Sequence, residues 1–335
     1  MATTIKDVAR NANVSISTVS RVINDSKPVS EEIKRKVVEV IDELGYVPNP
    51  VARSLVMKKS RLIGIIVPDI ANYYTGELLN AFEEIAKTYD YEVILCNSYG
   101  NTQQEFRYLK LLESKQVEGI VFLSFKMMQE HQDFFERRKL PVVLVNRVSP
   151  ADNILSVSID HRKAVYEMTC KLLEQGHKDI LLIRNGEDEI LFGTEHMEGY
   201  QAALAEYGIS FREDRVQNGY YMVQNAYKIM KKIIESGSVP TAVLATSDDM
   251  AVGAINGLVD NGYKVPEDVS VVGFYDTELA TLYRPKLTTV QHPIYDIGAI
   301  AIRMLIKQID GQEIEERHVR LPHGIIFRDS SRALK

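Results

Sequence analysis

The sequence predicts an α/β core of two doubly wound, parallel-sheet lobes, preceded by a small all-α helix-turn-helix domain. Three observations carry that prediction. The first sixty residues hold three short runs with helical periodicity. From Arg61 onward, apolar runs of four to seven residues alternate with amphipathic stretches. The chain of 335 residues also exceeds what one compact module holds.

In the first run, Thr4 is placed to cap a helix beginning at Ile5, with Asp7 three residues on as reciprocal partner. Asn13 tolerates the left-handed backbone that a tight turn demands, and Ser15 is placed to cap a second helix over 16–24. The linking "NANVS" has helix-turn-helix spacing. A third helix runs from Ser30, with Glu31 and Glu32 at its positive end, and stops at Gly45. Its Ile33, Val37, Val40, Ile41 and Leu44 share one core-facing side. The segment "YVPNPVARSLVMKKS", 46–60, reads as a linker: a marginal helix behind two prolines, loose until something orders it.

Core strands are expected at 62–68, 91–96, 118–123 and 140–145, and in a second set at 156–159, 179–183, 241–245, 269–274 and 287–290. These runs are continuously apolar, as in parallel sheets covered on both faces. Amphipathic helices such as 161–175, with Val165, Met168, Leu172 and Leu173 on one side, fall between them.

Composition narrows the function classes. Hydrophobic content of 45% and charge of 26% are ordinary for a soluble globular protein. The start "MATTIKDVAR" has no apolar leader, and no run approaches the ~20 apolar residues of a membrane span. No membrane partner is expected. Cys96 and Cys170 are far apart and suit a reduced, cytoplasmic setting as small core residues. The seven histidines lack metal-ligand spacing, so neither a metal nor a cofactor is expected. The acidic pair in "SDD", 247–249, sits where a helix begins. Adjacent side chains there diverge, so a cap at Ser247 or Asp248 is the better reading than acid–base catalysis, and no enzyme is expected.

Helix 16–24 turns Ile16, Ser17, Ser20, Arg21 and Asn24 outward and Val19, Val22 and Ile23 inward. Short or basic outward side chains suit a DNA groove, and plain solvent equally. In a major groove Arg21 would pair bidentately with guanine O6 and N7, Ser17 would reach a base edge or phosphate, and Ile16 would pack on a thymine methyl. Residues 1–60 carry ten Lys and Arg against seven Asp and Glu, while the whole chain is at −6, so a mildly basic head precedes an acidic body.

The stretch "TIKDVARNANVSISTVSRVIN…VSEEIKRKVVEVIDELGYVPNPVARSL" resembles the amino-terminal segment of the LacI/GalR family of transcriptional regulators. The similarity continues through "IGIIVPDIANYY", "GHKDILLI", "PTAVLATSDDMAVGA", "VPEDVSVVGFYDTELA" and "RPKLTTVQHP", essentially the whole chain. The resemblance implies a homodimeric repressor of carbohydrate or carbon-metabolism genes. It would bind a pseudo-palindromic operator in double-stranded DNA, and its core would resemble type I periplasmic binding proteins. It implies domains at 1–47 and 48–60, a first lobe of 61–160 with 291–320, and a second of 161–290 with 321–335. Ile16, Ser17 and Arg21 fall on base-reading positions, and Leu55 on the hinge leucine that wedges into the minor groove. Thr4, Ser20, Asn24, Asn49 and Arg53 are implied contacts to phosphates or grooves. The rival reading is a solute-binding protein without a DNA role, for which 61–335 would suffice.

For the cleft, the resemblance implies Tyr73, Tyr74, Asn146, His196, Tyr221, Ser247 and Tyr275 around a small effector such as a sugar or sugar phosphate. This chain departs from sugar-binding members in carrying His196 where Arg is frequent and Tyr275 where Asp is frequent. Helix 295–309 resembles the stretch on which catabolite-control members of the family dock serine-phosphorylated HPr. Arg303 and Lys307 form its exposed basic pair, and Tyr89, Tyr91 and Tyr295 flank them. Gly324 follows His323 where those members have Arg.

Overall fold

The computed structural model describes residues 3–24, 27–46, 59–147, 154–186 and 192–334, in two compact units that divide after Arg61. Among its described residues the first unit holds three helices: α1 (Ile5–Ala12), α2 (Ile16–Asn24) and α3 (Glu31–Leu44). Their ends follow from the capping chemistry. The backbone N–H and hydroxyl of Thr4 both donate to Asp7 Oδ2, at 3.0 and 2.6 Å. Asn13 turns the chain at φ 52°, and the N–H of Thr18 donates to Ser15 Oγ at 3.1 Å. Val8, Ala12, Val19 and Val37 are fully buried where the helices meet. Each buried valine stabilises this small head by roughly 1.5–3 kcal/mol.

The second unit holds two six-stranded sheets. The first contains β1 (Leu62–Val67), β2 (Glu92–Asn97), β3 (Gly119–Phe122), β4 (Val142–Val145), β5 (Leu155–Ser158) and β11 (His318–Arg320), in the order β11-β5-β4-β3-β1-β2 and wholly parallel. The second contains β6 (Ile180–Arg184), β7 (Val216–Asn218), β8 (Ala242–Ala245), β9 (Ser270–Tyr275), β10 (Thr288–Gln291) and β12 (Gly324–Ile326), in the order β12-β10-β9-β8-β6-β7. Only β12 runs antiparallel, against β10. The run at 156–159, grouped by sequence with the second set, belongs to the first sheet. β7, β11 and β12, three residues each, are additions to the sequence reading.

Among the described residues of this unit the helices are α4 (Tyr73–Thr88), α5 (Thr102–Ser114), α6 (Gln129–Arg138), α7 (His161–Glu174), α8 (Phe192–Glu206), α9 (Val223–Glu235), α10 (Asp248–Val259), α11 (Glu278–Leu282) and α12 (Ile294–Ile309). The chain passes between the sheets after β5, after β10 and between β11 and β12, so each lobe is assembled from distant segments. Strands such as β3, β4, β8 and β9 are buried at every position, which explains their unbroken apolar runs. Cys96 and Cys170 are buried free thiols. Among the described residues no helix is long and apolar enough to cross a membrane.

Two helix pairs approach closely through glycine. A Cβ on Gly199 of α8 would lie 2.3 Å from the carbonyl oxygen of Arg162 in α7, and one on Gly253 of α10 would lie 2.2 Å from that of Val223 in α9. Behind α10, the buried Asp248 carboxylate accepts from the Thr277 N–H at 2.8 Å and from the hydroxyls of Thr277 and Thr289 at 3.0 and 2.7 Å. Burial raises this carboxyl to about 7 despite those bonds.

Candidate functional site

Helix α2 presents the outward surface expected of it. Ile16 is 45% exposed, Ser17 and Arg21 are exposed, and Ser20 is half-buried, while Val19 opposite them is fully buried. The hydroxyls of Ser15 and Ser17 lie 2.7 Å apart at the helix start. Thr4 is exposed beside α1, and Asn24 closes α2. Asn49, Arg53 and Leu55 lie outside the described residues.

In the second unit a cavity of about 510 Å³, counted with its open mouth, lies between the lobes. Its lining comes from the carboxyl ends of strands in both sheets, as expected where doubly wound sheets face each other. Asn146 follows β4, Tyr221 lies beyond β7 and Tyr275 ends β9. These three are held at φ 59°, 57° and 110°. Left-handed backbone at residues other than glycine costs of order 1–3 kcal/mol each and concentrates at functional sites. Ser247, which caps α10 by accepting from the Met250 N–H at 3.1 Å, completes this side of the lining.

Aromatic rings bridge the lobes beside this cavity. Tyr74 of α4 stacks on Tyr275 with centroids 4.2 Å apart, and Phe125, beyond β3, stacks on Tyr221 at 5.5 Å. Each pair takes one ring from each sheet's side, so opening the cleft separates both stacks. Of the seven residues expected at the cleft, Tyr74, Asn146, Tyr221, Ser247 and Tyr275 line the cavity. Tyr73 and His196 do not. Tyr73 is 41% exposed at the start of α4, while His196 is fully buried against Phe274 and His161. Sequence reasoning missed Phe125 and Asp249, which line the same space.

Behind the cavity wall lies a histidine cluster. His161 Nε2 is 2.9 Å from Asn146 Oδ1, and His161 Nδ1 is 3.3 Å from His196 Nε2. An amide oxygen only accepts, so His161 donates from Nε2 and receives at Nδ1 the proton of His196 Nε2–H. His292 packs 5.5 Å from His161 and 4.7 Å from Tyr275, between ring centroids. Burial pushes His161 and His292 well below the usual imidazole range and His196 down to about 3. His161, His292 and His323 stand at the three passages between lobes, and His323 is paired with the carboxylate of Glu167 at 2.8 Å.

On α12 the amphipathic reading holds residue by residue. Tyr295, Arg303 and Lys307 are exposed, while Ile297, Ala301, Met304 and Leu305 are buried. Tyr89 is 42% exposed at the end of α4. Tyr91, expected with it, is only 3% exposed, its ring in the core and its hydroxyl donating to Glu118 at 2.9 Å.

A helix-turn-helix head followed by a two-lobed core of periplasmic-binding-protein type is the architecture of a bacterial transcription regulator, not of an enzyme. Residues 4–49 match the bacterial regulatory proteins of the lacI family, and residues 170–331 match the periplasmic binding protein-like domain. The chain is 39% identical to catabolite control protein A of Priestia megaterium, over 99% of this chain and all of that one. It is 41% identical to the HTH-type transcriptional regulator RegA of Clostridium saccharobutylicum, over 99% of this chain and all of that one. Among solved structures, the lac repressor dimer bound to operator and the anti-inducer ONPF superposes with a TM-score of 0.88 at 25% identity, covering 99% of this chain and 100% of that one. The chain belongs to the LacI family: it is a DNA-binding transcriptional regulator, similar to catabolite control protein A.

Proposed function

We propose that this protein is a cytoplasmic, homodimeric repressor of carbohydrate or carbon-metabolism genes that binds a pseudo-palindromic operator, one half-site per helix-turn-helix. The observation that carries the proposal is the outward set on α2: Ile16, Ser17 and Arg21 exposed together above a buried Val19. Arg21 is the only long basic side chain on that helix and reads a guanine. Thr4, Ser20, Asn24, Asn49 and Arg53 supply phosphate and groove contacts, and Leu55 the minor-groove wedge. Replacing Arg21 by Ala is expected to cost roughly 1–3 kcal/mol at one symmetric base position and to relax specificity there. Titration against operators varied base by base checks this. Equal weakening on every sequence would make Arg21 a phosphate contact instead.

The cleft, lined by Tyr74, Asn146, Tyr221, Ser247 and Tyr275, holds a small effector in this reading, a sugar or sugar phosphate being the class the family resemblance suggests. A second controller is supported by α12, where Arg303 and Lys307 stand one turn apart with Tyr295 and Tyr89 exposed. A phosphoserine carries about −1.5 to −2 charges, and such a cation pair with aromatic area around it suits serine-phosphorylated HPr. Calorimetry with phosphorylated and unphosphorylated HPr is expected to give phosphate-dependent binding that Arg303→Ala removes. Equal binding of both forms, or none, would leave the cleft as the only sensor.

A further inference from the structure

The cavity between the lobes carries one sign of charge. Among the described residues that line it, Asp249 is the only ionisable side chain apart from the tyrosines, and no Lys, Arg or His joins it. Arg147, next in sequence to the lining residue Asn146, is not itself in the lining: its guanidinium donates to the carbonyl oxygens of Ser124 and Phe125, at 3.2 and 2.8 Å, and the residue is 4% exposed. A phosphate ester would find no cation among the described lining residues.

The lining suits the opposite charge. Tyr74, Phe125, Tyr221 and Tyr275 surround the space with aromatic rings, whose faces attract cations. Asp249, at the start of α10, is held up at about 6 by burial and by Asp69, so a cation beside it would relieve both. Independently of the charge, the Tyr74 hydroxyl is buried without a hydrogen-bond partner among the described residues, in a residue 7% exposed that lines the cavity. A buried hydroxyl left unpaired costs about 1–3 kcal/mol, which a hydroxylated ligand would recover. Both ring stacks are already in contact, so the occupant lies against them rather than between them, and it must be compact.

We infer that the cleft is built for a small hydroxylated organic cation, an amino sugar in size and chemistry, and that it rejects phosphorylated sugars. The inference rests on the reading that this cleft is the effector site, and it narrows the ligand class given there.

The test is calorimetry on the full-length protein at pH 6.5 with glucosamine, glucose and glucose 6-phosphate. Glucosamine is expected to bind at least about tenfold more tightly than glucose, the difference a charge-assisted hydrogen bond makes, and glucose 6-phosphate to bind least. Asp249→Asn, nearly isosteric, is expected to bring glucosamine and glucose to equal affinity, and Tyr74→Phe to weaken both. Tighter binding of the phosphate ester, an unchanged ratio in Asp249→Asn, or no binding by any of the three would overturn the inference. Operator affinity with and without glucosamine separates the two readings. Cleft binding that leaves operator affinity unchanged would sustain the ligand class and remove the cleft's regulatory role.

Discussion

Between pH 6.5 and pH 4.5 the wild-type core is expected to lose about 2 kcal/mol more stability than a His196→Phe variant. His196 is fully buried beside His161 and Phe274, and burial, with the Arg184 charge second, depresses it from 6.5 to about 3. The unfolded chain therefore takes up a proton near pH 6.5 that the folded chain refuses until about pH 3. Stability is complete above pH 6.5 and falls by about 1.4 kcal/mol for each pH unit below it. His161, facing His196, His292, His323 and Arg320, and His292, facing His196 and His323, are depressed in the same direction. Two carboxyls oppose them. Asp248, raised to about 7, and Asp249, raised to about 6, gain protons in the folded state and add stability as the pH falls. Comparison with His196→Phe cancels the carboxyl contributions and any fixed packing cost of the substitution, and it includes the part of the His161 and His292 shifts that His196 causes. Denaturant unfolding at several pH values checks it, and parallel pH profiles for the two proteins would disprove the assignment.

Gly253→Ala is expected to destabilise the second lobe by about 2 kcal/mol, although alanine favours a helix by about 1 kcal/mol over glycine. The new methyl would sit 2.2 Å from the Val223 carbonyl oxygen and 2.9 Å from Ala226 Cβ. Neither neighbour can rotate away, so α9 and α10 must separate, and overpacking of this kind costs about 1–3 kcal/mol or more. Gly76 supplies the contrast. It lies inside α4 with nothing within 4 Å of its Cβ position, so Gly76→Ala is expected to stabilise by up to about 1 kcal/mol. Thermal unfolding of the two variants should move in opposite directions. Equal shifts would mean that helix propensity, not the α9–α10 contact, governs Gly253.

Where a feature depends on neighbours in the chain, the sequence was readable. Thr4 with Asp7, Asn13 and Ser15 mark the ends of α1 and α2 because capping is a matter of three or four adjacent residues. The strands stood out because full burial on both faces removes every polar residue from β3, β4 and β8. Strands β7, β11 and β12 escaped notice because three half-buried residues carry no period. Tyr91 was read as a surface residue because nothing beside it in the chain reveals the core it enters. Asp248 and Asp249 were rightly read as diverging, but which of them enters the cleft depends on the phase of α10. Asp248 turns to Thr277 and Thr289, and Asp249 to the cavity. The histidine cluster has no signature at all in spacing, because separate passages between the lobes bring its members together.

Those passages also set a timetable for synthesis. Ser156 of β5 and its neighbour His318 of β11 are 162 residues apart, so the first sheet lacks its edge strand until that whole interval has been made. At about 5–20 residues per second, the ribosome needs roughly 10–30 s to cover that interval. During that time the outer side of β5 is an open edge able to pair with another nascent chain. The second sheet is closed by β12 only six residues after β11, so both lobes reach completion almost together. A chain that stopped before β11 would have two unfinished sheets rather than one shortened tail, and such a truncated product would be an aggregation hazard instead of a weakened regulator.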